Sequence, residues 1–223
     1  MDFDDILKEF EASKRPGHNE DELRAEDLQR LSTAWINERM VPELLPYENE
    51  LIDRVLIRIR KQVEQIELNS IELQTHEKEI KLRLVVVESE LDRVQFLIRS
   101  YTRTRLQKID KYSLYIRSND TESAKLSNNE LTYMERHLEL LLELYNSQFL
   151  KNLPESLQAI DETGGGVSMI EEPDLDRPVF VKALADNVVD VDDEEVELTT
   201  NGIYVLRYRA VMDLVKVGDV RVL

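Results

Sequence analysis

The sequence contains no cysteine, and this absence excludes several classes of site. Disulfide bonds, zinc–thiolate sites, iron–sulfur clusters and cysteine nucleophiles all need that side chain, and its absence is typical of a reducing compartment. No run of 18 apolar residues occurs, and the first ten residues, MDFDDILKEF, are acidic where a secretory signal is basic. We therefore expect a soluble protein with no signal peptide and no membrane partner.

Basic residues are also scarce. Lys and Arg number 29 against 46 Asp and Glu, and the formal net charge is −17. Sequence-independent binding of nucleic acid needs a cationic surface. The charge balance therefore disfavours a protein that binds DNA directly, unless the basic residues gather on one face. Hydrophobic residues make up 42% of the chain, which is enough for a packed core and excludes wholesale disorder.

Glycine and proline number six each, and neither occurs between Tyr47 and Leu153. This long stretch, rich in Glu, Leu, Arg, Gln and Lys, is typical of helices. Beyond Leu153 the chain has proline, three consecutive glycines and then many valines. The sequence predicts an α+β fold, in which an all-α helical bundle precedes a small β-rich domain with one short helix. We assign residues 1–19 to a flexible arm, 20–160 to the helical domain, 161–177 to a linker and 178–223 to the β-rich domain.

Apolar residues at helical spacing predict four helices in the helical domain. Their ranges are Glu20–Met40, Glu48–Leu68, Glu77–Tyr115 (interrupted at most once) and Ser127–Lys151. Ser127 and Glu130 form a capping-box pattern at the start of the fourth helix, and the polar residues 117–125 predict a loop. Valine-rich runs predict strands at Val179–Leu184, Val188–Val191, Val196–Thr199, Ile203–Tyr208 and Val220–Leu223, with a helix at Arg209–Lys216.

Two of these helices carry apolar residues outside their main stripe. On the third helix they are Leu106, Ile109, Leu114 and Ile116, and on the fourth they are Leu140, Leu141 and Leu144. A helix of a small bundle buries one apolar face, so a second face indicates an additional surface, which we interpret as that of an obligate partner. The β-rich domain is too small to be stable alone and is expected to dock on another surface.

Catalytic and metal-binding patterns are missing from the sequence. The three histidines, His18, His76 and His137, lack the spacing of a metalloprotease motif. The glycines at 164–166 precede no helix and indicate a hinge, and the acidic run at 190–195 lacks the offsets of an EF-hand and indicates a solvated loop. We predict no enzyme activity, no cofactor and no metal.

A basic and aromatic stretch in the third helix has two interpretations. Such residues bind single-stranded nucleic acid through phosphate contacts and base stacking. Alternatively, their stems cover apolar surface and their charges pair with acidic helices, within this chain or on a partner. The net charge favours an interface, and the nucleic-acid module stays as an alternative. The residues are Arg99, Tyr101, Arg103, Arg105, Lys108, Lys111, Tyr112 and Tyr115.

The first residues form a short amphipathic pattern. Phe3, Ile6, Leu7 and Phe10 lie on one face of a three-turn helix that the sequence Lys14-Arg15-Pro16-Gly17 is expected to end. One interpretation is a tethered helix that folds in the groove of a partner. The other is a first helix that packs on its own core, and the pattern alone does not decide between them.

Several segments together resemble one known family. The segments Ala34-Trp35-Ile36-Asn37-Glu38-Arg39 and Pro42-Glu43-Leu44-Leu45-Pro46 resemble the opening signature of the Sld-five subunits of the GINS complex. The segment from Arg99 to Ile109 resembles the second signature of that family, in its long helix. Leu153–Gln158, Glu172–Leu175, Ile203–Tyr208 and Val220–Leu223 resemble its passage into the carboxy-terminal domain and that domain itself. The order and spacing of these segments are specific, although none of them is catalytic.

The resemblance implies a nuclear subunit of a replication assembly. GINS is a heterotetramer of one such chain with three Psf subunits, and it joins the MCM ring and the Cdc-forty-five protein in the CMG replicative helicase. The resemblance implies a helical A domain followed by a β-rich B domain, no catalysis by either, and contact with DNA only through the complex. An unrelated acidic helical scaffold that forms homo-oligomers is a further alternative.

The resemblance also implies two sets of binding residues. The segment that begins Asp2-Phe3-Asp4-Asp5 resembles the peptide with which fungal members bind the trimeric Ctf-four hub, which also tethers polymerase alpha. The expected hub-binding residues are Asp4, Asp5, Ile6, Leu7 and Phe10. The expected subunit-interface residues are Trp35, Leu44, Leu45, Tyr101, Arg103, Arg105 and Lys108.

Overall fold

The computed structural model describes the backbone of residues 3–72, 78–154, 158, 170–191 and 194–223, and their side chains except those of residues 3–21, 69–81 and 83. Its helices are α1 (Phe3–Met40), α2 (Asn49–Glu72), α3 (Lys78–Ser118), α4 (Asp120–Ser123), α5 (Asn128–Gln148) and α6 (Tyr208–Val217), with a 3₁₀ turn at Leu150–Asn152. Its strands are β1 (Pro178–Ala183), β2 (Asn187–Val191), β3 (Glu194–Leu198), β4 (Ile203–Arg207) and β5 (Val220–Val222). The predicted α+β class, with a helical bundle before a small sheet region and one helix, is confirmed.

Helix α1 differs most from its prediction. The expected stop at Lys14–Gly17 is wrong, because the helix continues through Pro16 and Gly17 to Met40. A proline inside a helix costs about 3 kcal/mol relative to alanine. The residues that follow it, Gly17, His18 and Asn19, are weak helix formers as well, so local propensity does not account for the continuation. The predicted arm of residues 1–19 has its side chains outside the described part of the chain, so its role stays a prediction.

The other helical predictions hold with small corrections. The single interruption expected in the third helix is at Tyr112, whose φ of −104° and ψ of 20° are not helical. The predicted loop 117–125 contains the one-turn helix α4. The capping box is confirmed, since the Ser127 hydroxyl accepts from the amide of Glu130 and the Glu130 carboxylate accepts from the amide of Ser127. No helix in the described part of the chain is both long enough and apolar enough to cross a membrane.

The chain divides into two compact units. The first comprises Met1–Trp35 and Glu50–Ile98, and the second comprises Ile36–Asn49 and Arg99–Leu223. In the first unit, Arg54 and Arg58 both contact the carboxylate of Asp27, with 2.8 Å between Arg54 Nη2 and Asp27 Oδ1. The hydrogen bond from Arg54 and the charges of both arginines hold the pKa of Asp27 below its ordinary value, against the effect of burial. Buried apolar residues of this unit are Leu31, Leu51, Ile52 and Val55.

The second unit contains two antiparallel sheets. The larger has the strand order β4-β1-β5, with Phe180 opposite Val205 and Lys182 opposite both Ile203 and Arg221. The smaller is the hairpin of β2 and β3. The inner face of the three-stranded sheet packs with α6 in one core, whose buried members include Val179, Val181, Tyr208, Val211, Val215, Val220 and Val222.

A turn after α1 joins two cores of the second unit. Val41 is buried in the core of the β-rich domain, where Leu45 packs against it. Leu44 is buried in the helical core formed by α3 and α5. The β-rich domain, which was expected to dock on another surface, thus packs against the turn after α1 of its own chain. The buried partners of Leu44 are Ile109, Tyr112, Ile116, Met134 and Leu138.

Candidate functional site: a buried ion network and exposed apolar faces

Arg105 is the centre of a buried ion network in the second unit. Its side chain is fully buried, with 0% of its surface exposed. Nε donates to Glu130 Oε1 at 2.7 Å, and Nη1 donates to Glu38 Oε2 at 2.9 Å. Nη1 also donates to the carbonyl of Leu45, and Nη2 donates to Glu130 Oε2 and to the carbonyl of Lys125. All five N–H groups of the guanidinium therefore have acceptors, which is the condition for burying this charge.

Two aromatic rings cover the same guanidinium. Arg105 lies 5.2 Å from the ring centre of Tyr47 and 5.7 Å from that of Tyr101. Burial alone would lower the pKa of Arg105, but the carboxylates of Glu130 and Glu38 raise it above its ordinary value. Burial raises the pKa of the Tyr101 hydroxyl. Arg105 is therefore a permanent cation that joins the end of α1, the turn after it and the start of α5.

Glu43 extends the network to the β-rich domain. Its Oε2 is 2.9 Å from Lys125 Nζ, its Oε1 accepts a 2.5 Å hydrogen bond from the Tyr208 hydroxyl, and Lys216 Nζ lies 3.5 Å from the same oxygen. Burial acts to raise the pKa of Glu43, but the hydrogen bonds from Tyr208 and Lys125 outweigh it, so the pKa lies below its ordinary value. Lys108 completes the set, with Nζ 2.8 Å from Glu38 Oε1 and 2.6 Å from the carbonyl of Glu43.

The lowered pKa of Glu43 predicts an acid-dependent contribution to stability. A carboxylate whose pKa is lower in the folded than in the unfolded state stabilises the fold above its unfolded pKa, near 4.5, and loses that contribution as the pH falls through the folded value. We expect the difference in unfolding free energy between the native chain and Glu43→Gln to be largest at neutral pH and to shrink below pH 4.5. Urea unfolding at a series of pH values measures it.

The matched control is Glu64→Gln, which changes an exposed glutamate of α2. Its unfolding free energy should follow the native curve at every pH. A pH-independent deficit for Glu43→Gln would contradict the ionised state assigned to Glu43.

Helix α5 carries a second feature, a line of exposed apolar side chains. Tyr133, Leu140 and Leu144 lie at spacings of seven and four residues, which places them on one face of the helix. Leu140 is 66% exposed and Leu144 is 50% exposed. Between Tyr133 and Leu140, His137 stacks on the Tyr133 ring, and its Nε2 is 3.7 Å from Asp110 Oδ1. The side chains of His18 and His76 lie outside the described residues. In the described part of the chain no group of His, Asp and Glu is arranged to hold a metal ion.

Comparison with known proteins identifies the family. A family model described as "GINS complex protein helical bundle domain" matches residues 50–149, and one described as "DNA replication complex GINS protein SLD5 C-terminus" matches residues 173–223. The "DNA replication complex GINS protein SLD5" of Debaryomyces hansenii is 38% identical over an alignment of 243 positions, which covers 99% of this chain and 97% of that protein. The chain belongs to the SLD5 family. Two further relatives are SLD5 proteins of other fungi. That of Saccharomyces cerevisiae is 39% identical, and the alignment covers 86% of this chain and 78% of the relative. That of Schizosaccharomyces pombe is 36% identical, and the alignment covers 87% of this chain and 90% of the relative.

Four of the interface residues predicted from the SLD5 resemblance are covered within the chain. Leu44, Tyr101 and Arg105 are buried by residues of their own chain, and Lys108 is largely buried. A side chain that is already covered has little surface left to bury against another subunit. Their place at an inter-subunit surface stays a prediction, and within the chain Arg105 joins the end of α1 to the start of α5.

The remaining residues predicted for the subunit interface have part of their surface accessible. Trp35 and Leu45 are half-buried, and Arg103 is exposed on α3. For these three the interface assignment stays a prediction. The hub-binding residues Asp4, Asp5, Ile6, Leu7 and Phe10 belong to α1, and their side chains lie outside the described part of the chain.

The structure also weighs against the nucleic-acid interpretation of the basic stretch. Phosphate contacts need free guanidinium or ammonium donors, whereas every donor of Arg105 has an acceptor within the chain and Lys108 pairs with Glu38. Base stacking needs exposed rings, whereas Tyr101 and Tyr112 are buried.

Several members of the network were not predicted from the sequence. Glu130 was assigned only as a capping residue, and no role was assigned to Glu38, Glu43, Lys125, Tyr208 and Lys216. One signal was present in α3, where Arg105 occupies the apolar line of Tyr101, Ile109, Tyr112 and Ile116. A charge at such a position indicates a buried, paired group.

Proposed function

We propose that this chain is the SLD5 subunit of a GINS heterotetramer in DNA replication and acts as a non-catalytic assembly subunit with three Psf partners. In this proposal, GINS joins the MCM ring and the Cdc-forty-five protein in the nuclear replicative helicase, and this chain reaches DNA only through the complex. The family match supports the proposal, because relatives named as GINS SLD5 proteins align over most of this chain.

The observation that carries the proposal is the exposed apolar line of α5. An exposed leucine is ordinary by itself, but a row of apolar side chains along one helix face marks an interaction surface. A groove lined by Tyr133, His137 and Leu140 includes part of this line. Side chains of a partner helix would fill such grooves.

A second set of exposed apolar side chains lies in the first unit. Helix α3 exposes Leu82, Val85, Val86 and Phe96 over the half that belongs to this unit. Both compact units thus present exposed apolar surface on their helices. This supports the proposal that several subunits bind this chain.

The electrostatics support a non-catalytic role. The buried titratable groups Glu43, Arg105, Lys108 and Tyr208 are bonded to one another or to neighbouring side chains of the network. Perturbed pKa values of this kind arise in structural ion-pair networks as well as in active sites. Here burial and the bonded neighbours account for the shifts: burial lowers the pKa of Lys108 against the effect of Glu38, and burial together with Glu43 raises that of Tyr208. We therefore assign the network to holding the subunit together.

The assembly role is tested by replacing Leu140 and Leu144 with aspartate. Burying a leucine contributes about 1.5–3 kcal/mol, so the double variant should weaken assembly by at least about a hundredfold. The native chain and the variant are each coexpressed with the three Psf subunits, and the recovered complexes are weighed by native mass spectrometry. We expect a four-subunit complex with the native chain and a loss of at least one subunit with the variant.

The matched control replaces Glu139 and Glu143, each one residue before one of those leucines, with alanine. This variant should assemble like the native chain. A monodisperse monomer of the native chain, or a homo-oligomer in place of the four-subunit complex, would contradict the proposal. Binding of single-stranded DNA by the isolated chain, with affinity falling steeply with salt, would favour the nucleic-acid alternative.

The proposed link to the Ctf-four hub is tested at the start of the chain. Replacing Ile6 and Leu7 with alanine should abolish binding to the hub and leave the four-subunit complex intact, because the peptide is proposed to insert its apolar residues into the groove of the hub. Pull-down with the purified hub measures binding, and native mass spectrometry measures assembly.

The control for this experiment is the double replacement of Lys8 and Glu9 with alanine, which removes two charges and leaves the apolar pattern unchanged. Its hub binding should be retained. If the double variant Ile6→Ala, Leu7→Ala also fails to form the four-subunit complex, then the segment belongs to the subunit core and is not a hub-binding peptide.

A further inference from the structure

The outer face of the three-stranded sheet has an unexpected composition. An antiparallel sheet with one face on the core is usually apolar inside and polar outside. Here Phe180 and Val205, directly opposite each other on β1 and β4, are 55% and 54% exposed. Ile203, two residues before Val205 and therefore on the same face, is 64% exposed. These three residues form an apolar centre on the face opposite α6.

Basic residues surround this centre. Lys182 lies opposite Ile203 on one side and opposite Arg221 on the other, and Arg207 lies opposite Pro178 at the other end of the strand pair. The outward strand positions, 178, 180, 182, 203, 205, 207 and 221, therefore include three basic residues and no acidic one. This local balance contrasts with the net charge of −17 of the whole chain.

The charges of two of these residues are uncompensated within the described part of the chain. Neither Lys182 nor Arg221 forms an ion pair there, and the Nε atom of Arg221 is buried with no hydrogen-bond partner. Elsewhere in the same unit, Arg105 and Lys125 are bonded to carboxylates. A basic rim around an apolar centre is the arrangement of a protein interface, with a desolvated middle and a polar edge that selects a partner of opposite charge.

We propose that this face of the β-rich domain binds an acidic segment of another protein, in which an apolar side chain is flanked by carboxylates. The apolar residue covers Phe180 and Val205, and the carboxylates pair with Lys182 and Arg221 on one side and lie near Arg207 on the other. This surface is distinct from α5 and does not depend on the proposed GINS assembly.

Two other occupants fit less well. A second copy of this chain would place Lys182, Arg207 and Arg221 against the same residues, and like charges across an interface are repulsive. A nucleic acid strand would use the basic rim, but base stacking needs aromatic rings, and Phe180 is the only ring among the outward strand residues. The aliphatic side chains of Ile203 and Val205 favour a protein segment.

The test is a selection of peptides on the immobilised full chain. The probe is a random library of 12-residue peptides displayed on phage, selected in parallel on the native chain and on two variants of the face, Lys182→Glu with Arg221→Glu, and Val205→Asp. We expect the native chain to enrich peptides with an apolar residue between acidic ones. Synthetic copies of the enriched peptides should lose at least tenfold in affinity for each variant, and their affinity for the native chain should decrease with salt.

The control is Val217→Asp, which replaces an exposed valine of α6 outside this face. This variant should select the same acidic peptides with unchanged affinity. Peptides without acidic residues, or acidic peptides that bind the face variants equally well, would overturn the proposal. Binding of a 20-nucleotide oligo-dT strand that Lys182→Glu with Arg221→Glu abolishes would overturn it in favour of nucleic acid. A failure of GINS assembly, measured separately with the α5 variants, would leave this outcome unaffected.

Discussion

Replacing Arg105 with methionine is expected to lower the free energy of unfolding by about 3–5 kcal/mol, because it leaves buried carboxylates without their counter-ion. Glu130 would lose both of its charged hydrogen bonds from the guanidinium, and Glu38 would keep only Lys108. Methionine fills a similar volume, so the loss reflects charge and hydrogen bonding more than a cavity. Urea unfolding of the full chain in its coexpressed assembly, followed by circular dichroism, measures the change.

The matched control is Arg103→Met, which makes the same replacement at an exposed position on the same helix. Its effect should remain within about 0.5 kcal/mol, as for most surface substitutions. Adding Glu130→Gln to Arg105→Met should recover part of the lost stability, since the carboxylate left without its counter-ion is then neutral, while Glu38 stays paired with Lys108. Equal effects of Arg103→Met and Arg105→Met, or no recovery in the double variant, would show that the network is not buried as described.

The Arg105 network also shows which kinds of contact can be predicted from the sequence and which cannot. The capping box of Ser127 and Glu130 could be predicted because its two residues are three positions apart and satisfy each other's backbone groups. The partners of Arg105 are 25 and 67 residues away along the chain, and only the packing of α1, α3 and α5 brings them together. The sequence indicates an interior position for Arg105 by its place in an apolar stripe and says nothing of which carboxylates meet it.

The apolar residues outside the main helical stripes show the same limit. Ile109 and Ile116 were expected to face a partner, but both are buried in the core of their own chain. Leu140 and Leu144, chosen by the same rule, are exposed. The rule identifies apolar residues that must be covered. For α3, the turn that carries Leu44 supplies part of that cover. Helical periodicity in the sequence does not predict that this turn packs on the helix. The exposed apolar surface is therefore narrower than the sequence rule suggests, and the partner surface that we propose comprises the exposed residues of α5 and of the first half of α3.

The contact of the β-rich domain with the turn after α1 is expected to depend on Tyr208. This residue is fully buried in the core that also contains Val41, and its hydroxyl donates to Glu43. Tyr208→Ala should lower the free energy of unfolding by about 3–5 kcal/mol through the lost ring. Tyr208→Phe keeps the ring and should cost about 1.5–3 kcal/mol, the range for a hydrogen bond to a charged group. Hydrogen exchange of β1 and α6 amides should accelerate in both variants.

A second tyrosine provides the control that separates a structural hydroxyl from an exposed one. Tyr204 lies on β4 with its hydroxyl bonded to the amide and side chain of Thr199, and Tyr204→Phe removes that exposed contact. Its cost should stay below about 1 kcal/mol, because water replaces the lost hydrogen bond. The lower pKa of Glu43 depends on the Tyr208 hydroxyl, so Tyr208→Phe should also weaken the acid-dependent stability, whereas Tyr204→Phe should leave it unchanged. If both phenylalanine variants gave the native pH profile, the principal partner of the Glu43 carboxylate would be Lys125 or Lys216 and not the Tyr208 hydroxyl.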